Sequence, residues 1–112
     1  MLWTRDQLVE QAVEFIRQNL ERPFRIGELR RITGLSAKNL SLRFNATLGR
    51  TPIMEVRAQR IARAKQLLQD TDLSATEIAK QCCFNSAIYF CNTFKEFCGL
   101  PPLQFRRRMR GN

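Results

Sequence analysis

The chain has 112 residues, with 19 Lys and Arg against 10 Asp and Glu, a formal net charge of +9 and no histidine. That length holds one domain, or two very small units sharing a core, because units below about 40 residues seldom bury enough surface to fold alone. The positive charge favours a polyanionic partner, the 44% hydrophobic content with eight Phe excludes a disordered basic tail, and the missing imidazole removes the usual general base and speaks against a hydrolase.

The opening stretch carries charges at Arg5, Asp6 and Glu10, so no apolar run is long enough for a signal peptide or a membrane span, and the chain reads as cytoplasmic. Apolar residues recur with a helical period nearly everywhere, which predicts an all-α fold of seven helices. Thr4 and Gln7 form a capping box ahead of a first helix in which Leu8, Ala12, Phe15, Ile16 and Leu20 recur at three and four residues until Pro23. A short helix follows over about 26–33 and is broken by Gly34. Ser36 caps a third helix, with Leu40, Phe44 and Leu48 on its buried side up to Gly49. Thr51 and Pro52 open the longest helix, over about 51–69, with Pro at the first helical position and Ile53, Val56, Ile61, Ala64, Leu67 and Leu68 facing inward. Ser74 and Glu77 form a second capping box for a short helix ending near Cys82; another helix runs from about Ser86 to Cys98, and Pro101 opens the last.

The pattern repeats. Ser36, Leu40, Phe44, Gly49 and Pro52 fall on Ser86, Phe90, Phe94, Gly99 and Pro102 at a spacing of 50, while Leu29 and Leu35 fall on Ile78 and Phe84 at 49, so the second turn holds one extra residue. Each copy is a short helix, a tight turn and a longer helix that packs back on the first, the layout of a helix-turn-helix. The copies span about 25–48 and 74–98, joined by the linking helix. That helix is about 28 Å long at about 1.5 Å per residue, close to the roughly 34 Å between successive major-groove entries on one face of B-DNA.

At about 100° per residue, burying Leu40 and Phe44 turns Lys38, Ser41, Leu42 and Asn45 outward on the third helix. Burying Phe90, Phe94 and Phe97 likewise turns Ile88, Cys91, Asn92 and Lys95 outward on the sixth. The first face offers a cation and polar groups suited to guanine or phosphate. The second is nearly uncharged: Ala87, Ile88 and Cys91 can meet thymine methyls, and Asn92 can pair with adenine. Arg43 lies on the flank of the buried stripe, its stem inward and its head within reach of a phosphate. Arg57 and Arg60 on the linking helix, Lys95, and Arg106 and Arg107 at the end are the further phosphate candidates.

Cys82, Cys83, Cys91 and Cys98 lack the C-x2-C pairs of a zinc site, and no histidine completes one. They read as small apolar packing residues. Two rival classes stay open at this point: a thiol-based metal or redox sensor, and a helical adaptor for protein or RNA.

The stretch SATEIAKQCCFNSAIYFCNTFKEFCGLPPLQFR resembles the C-terminal signature of the AraC/XylS family of bacterial transcription regulators. Ile78, Ala79, Phe84, Phe90, Phe94, Lys95, Gly99, Pro102, Phe105 and Arg106 fit it in order and spacing, and the likeness spans nearly the whole chain. The chain departs from the pattern at three points: Cys83 stands where the family has its turn glycine, Arg25 replaces the polar cap that Ser74 provides, and Arg30 stands where Ala79 does. The wording Asn39-Leu40-x-x-Arg43-Phe44 resembles a sugar-responsive branch that includes xylose-operon regulators. The resemblance implies site-specific binding of double-stranded promoter DNA to control transcription, most often by activation, without enzymatic activity, cofactor, metal or membrane. RNA polymerase is the implied further partner. A small-molecule effector such as a sugar would act only through a separate domain, for which 112 residues leave no room; the chain is then an excised fragment beginning at an added or internal Met1, or a naturally single-domain member.

Overall fold

The computed structural model describes residues 6–111, which form seven helices and no strand. They divide into two compact units, one up to Val56 and one from Arg57 onward.

In the first unit, α1 (Gln7–Gln18), α2 (Ile26–Thr33) and α3 (Ala37–Leu48) surround a core of Val9, Ala12, Ile16, Leu29, Leu40 and Phe44, with Val56 from the start of α4 (Pro52–Asp70). The cap of α1 differs from the sequence expectation: Thr4 lies outside the described residues, and Asp6 is the capping residue, its Oδ1 accepting from the Leu8 and Val9 amides at 3.1 and 3.2 Å. A carboxylate there meets both the unpaired amides and the positive end of the helix dipole. Arg25, which has no acceptor to offer, begins α2 with half a capping box: only the return bond forms, from its amide to Glu28 Oε2 at 3.1 Å. Ser36 caps α3 through the Asn39 amide.

The second unit repeats this plan. Ile61, Ala64, Leu67 and Leu68 of α4 fall 52 positions after Val9, Ala12, Phe15 and Ile16, so the latter part of α4 takes the role of α1. Even the helix ends correspond: Asn19 Nδ2 donates to the Phe15 carbonyl at 2.7 Å, and Thr71 Oγ1 to the Leu67 carbonyl at 2.6 Å. Then follow α5 (Ala75–Gln81), α6 (Ala87–Cys98) and α7 (Pro102–Met109). The core is a line of aromatic rings in which Phe84, Phe90, Phe94 and Phe105 meet in turn at centroid distances of 5.1, 5.8 and 5.3 Å. Phe90 and Phe94 are fully buried, each contributing about 1.5–3 kcal/mol by removal from water.

Both turns need a left-handed residue. Gly34 supplies it after α2, at φ 73°. After α5 it is Cys83, at φ 60°, the one non-glycine residue with positive φ among those described. The turn is a complete Schellman closure: the Phe84 amide donates to the Ala79 carbonyl at 2.9 Å and the Cys83 amide to the Lys80 carbonyl at 3.2 Å.

Three inward assignments are corrected. Leu48, Ile53 and Phe97 are 38%, 50% and 36% exposed. Leu48 and Phe97 lie in the last turns of 12-residue helices whose partners α2 and α5 have eight and seven residues, so the final turn outruns its cover. Pro52 is buried in the first turn of α4 where Ile53 was expected.

Candidate nucleic-acid interface

On α3, Lys38, Ser41, Leu42 and Asn45 are all exposed, Leu42 by 57%, while Leu40 and Phe44 fix the opposite side in the first core. On α6, Ile88 is 77% exposed and Asn92 and Lys95 are also exposed, whereas Ala87 and Cys91 are half-buried. Ser36 and Ser86 cap the two helices in the same way, through the Asn39 and Tyr89 amides. The two exposed faces carry the same three kinds of group, an ammonium, an aliphatic side chain and an amide: Lys38, Leu42 and Asn45 on α3, and Lys95, Ile88 and Asn92 on α6. Ile88, 77% exposed, takes no part in the second core.

Two exposed residues escaped the sequence reading. Asn39 lines a shallow cleft with Leu35, Leu42 and Arg43. Tyr89, at the equivalent position of α6, is 38% exposed and packs on the Phe84 ring at 5.8 Å. Both stand about 100° from the outward centre of their helices, beside the exposed faces.

The cations divide by what already holds them. Arg43 is exposed on α3, its Nε 3.2 Å from Asp6 Oδ2. Arg107 is exposed, and Arg57 and Arg60 are half-buried on α4. Arg106 is spent internally: its Nε donates to the Leu68 carbonyl at 2.9 Å and its Nη2 to the Leu73 carbonyl at 2.7 Å. It clamps α7 to the end of α4 and to the segment before α5, a structural engagement that its charge alone does not reveal. Arg110 extends that clamp, donating to Asp72 Oδ1 at 2.9 Å and the Thr71 carbonyl at 2.6 Å.

All four cysteines are free thiols, Cys82 fully buried and the others partly so. Burial pushes the Cys91 and Cys98 thiols up from their ordinary range, which disfavours the thiolate that redox or metal chemistry needs. Among the described residues no group of His, Cys, Asp and Glu could hold a metal ion, and no helix is long and apolar enough to cross a membrane.

A family model described as a helix-turn-helix domain matches residues 29–108, covering both turns and the helix between them. The chain belongs to the AraC-type helix-turn-helix family. The AraC-type domain is 35% identical to the xylose operon regulatory protein of Haemophilus influenzae over 90% of this chain, but spans only 26% of that relative's length. It is similar to the structure of the xylose-binding transcription activator XylR, with 29% identity and a TM-score of 0.82 over 96% of this chain and 28% of that one. It is also similar to the DNA-binding domain of the global transcriptional factor AdpA in complex with a target DNA, with 25% identity and a TM-score of 0.85 over 92% of this chain and 93% of that one. Family and fold together make this a DNA-binding domain of a transcription regulator, and its family is one of regulators rather than enzymes.

Proposed function

We propose that this domain reads promoter DNA through both units, α2–α3 first and α5–α6 second, with α4 joining them, and that it serves a transcription activator in the bacterial cytoplasm. The observation that carries the reading is the pair of outward faces, Lys38, Ser41, Leu42 and Asn45 on α3 and Ile88 and Asn92 on α6, set on helices with equivalent caps and cores. Ala87 and Cys91 form the edge of the second face, where small apolar groups suit close approach to thymine methyls. Arg43, Arg57, Arg60, Lys95 and Arg107 neutralise phosphates, each adding to the salt dependence of binding and helping to set register without reading a base directly.

Activation implies RNA polymerase as the partner on DNA, and a sugar or other small effector would act through a part of the relatives that this chain does not span. Selection from a random duplex library, followed by footprinting, tests the reading. The expected result is an asymmetric site of about 17–20 base pairs contacted in two successive major grooves. A palindromic footprint bound by two chains, or equal affinity for all duplexes, would overturn it.

A further inference from the structure

The first unit contains an electrostatic strut that the second has lost. Asp6 carries two loads on one carboxylate: Oδ1 caps α1, while Oδ2 faces the Arg43 guanidinium on α3. Only Arg43 Nε is engaged; among the described residues its two terminal nitrogens have no partner. Arg43 also lines the cleft shared with Asn39 and Leu42, so its unused donors lie beside the exposed face of α3. At the equivalent positions of the second unit stand Ala58, 52 residues after Asp6, and Thr93, 50 after Arg43, and Thr93 is buried. Neither can form an ion pair.

A free arginine loses rotamer entropy when it meets a phosphate, and its planar fork is effective only when aimed. Asp6 draws the Nε edge toward itself by charge, at 3.2 Å, and so leaves the opposite edge of the fork available for a two-point contact with phosphate oxygens. From this geometry we infer that Asp6 is a positioning residue for DNA reading: it holds Arg43 so that the terminal guanidinium nitrogens grip a backbone phosphate at a defined register, seating α3 on its half of the site. This inference rests on the reading of Arg43 as a phosphate contact. The charge of the carboxylate opposes every duplex alike and cancels when two duplexes are compared, so only its hold on Arg43 shows in that comparison. The positioning effect is therefore on discrimination, and belongs to the half of the site read by α3.

The test uses the 112-residue chain, the duplex recovered from selection and an unrelated duplex of the same length, with affinities measured over a range of salt. Asp6→Asn keeps the helix cap, since Asn caps as well as Asp, and removes the charge; Asp6→Ser is the second variant, preserving the cap by a different group. Melting temperatures are expected to fall only slightly, through the lost charge at the helix start, while discrimination between the two duplexes falls by about two- to fivefold, the range of an exposed ion pair. Arg43→Ala should lower discrimination and reduce the salt slope by about one phosphate contact. In the Arg43→Ala background the Asp6 substitution should have no further effect on discrimination. If Arg43→Ala leaves slope and discrimination untouched, the phosphate reading of Arg43 fails. If Arg43→Ala weakens both but Asp6→Asn and Asp6→Ser do not change discrimination, or if the losses simply add, that reading survives and the positioning role is overturned.

Discussion

Gly34 and Cys83 hold the same left-handed backbone conformation at equivalent turns, at φ 73° and 60°. A side chain in that region costs about 1–2 kcal/mol through the contact of Cβ with the following carbonyl. Cys83→Gly removes that strain but admits a more flexible unfolded chain, so the net expectation is a gain of about 0.5–1 kcal/mol. A Cβ at Gly34 would meet nothing within 4 Å, so Gly34→Ala carries the conformational strain without a clash, offset in part by a stiffer unfolded chain, for a net loss of about 0.5–1 kcal/mol. Denaturant unfolding of both variants checks the pair, and a Cys83→Gly variant less stable than the parent would refute the strain argument.

Phe94 meets Phe90 at 5.8 Å and Phe105 at 5.3 Å, and is wholly buried. Phe94→Ala should destabilise the second unit by about 3–5 kcal/mol through the cavity it leaves. An unchanged thermal transition would show that the ring line does not hold this unit together.

Asn92 and Lys38 should fail differently. Asn92→Ala is expected to relax preference at one or two base pairs and to cost about 1–3 kcal/mol on the selected duplex, with little change on unrelated DNA. Lys38→Ala should also lower the salt slope, by about one contact. Titrations of both variants on the two duplexes would separate the roles; equal losses on both duplexes for Asn92→Ala would remove it from the reading set.

Acid should weaken the fold from the helix starts inward. The Ser74 amide, then its hydroxyl, holds the Glu77 carboxyl below the usual carboxylate range; Arg110 does the same for Asp72, and Arg22, then the Arg25 amide, for Glu28. A carboxyl depressed in the folded state stabilises above its unfolded value and loses that contribution as the pH falls through the folded one. Stability should therefore be level at neutral pH and decline below the ordinary carboxylate range. Glu77→Gln should shallow that decline, which melting scans against pH can register; a decline as steep as the parent's would exclude Glu77 as a contributor.

If both units read bases, five extra base pairs between the halves of the site place them on opposite faces of the duplex, about half a helical turn apart. Most of the specific affinity should then vanish in gel-shift titrations. Retention would mean that one unit reads alone.

Much of this fold was legible because helix starts are written locally: Ser36, Ser74 and Ser86 each have a backbone amide three residues on that needs an acceptor, and all three provide it. Asp6 was missed because Thr4 and Gln7 satisfy the same rule on paper, and the rule does not choose between competing caps. The exposure of Lys38, Ser41, Leu42 and Asn45 on α3 and of Ile88, Asn92 and Lys95 on α6 followed from periodicity, whereas Cys91, read as outward, is half-buried against the second core. Periodicity does not tell how far a neighbouring helix extends, which is why Leu48 and Phe97 were misjudged. Arg106 marks a different limit: its charge is visible in the sequence, but the Leu68 and Leu73 carbonyls that absorb it lie 38 and 33 positions away.

The line of rings from Phe84 to Phe105 leaves the exposed side of α6 free of structural duty. Ile88 and Asn92 take no part in it, and substitutions at such surface positions usually shift stability by less than about 0.5 kcal/mol. If these residues read bases as proposed, mutation can explore new base preferences there without risking the fold. A gene duplicated together with its operator could drift toward a separate set of promoters by changes at Ile88 and Asn92 alone, and a laboratory library at those two codons would sample the same route.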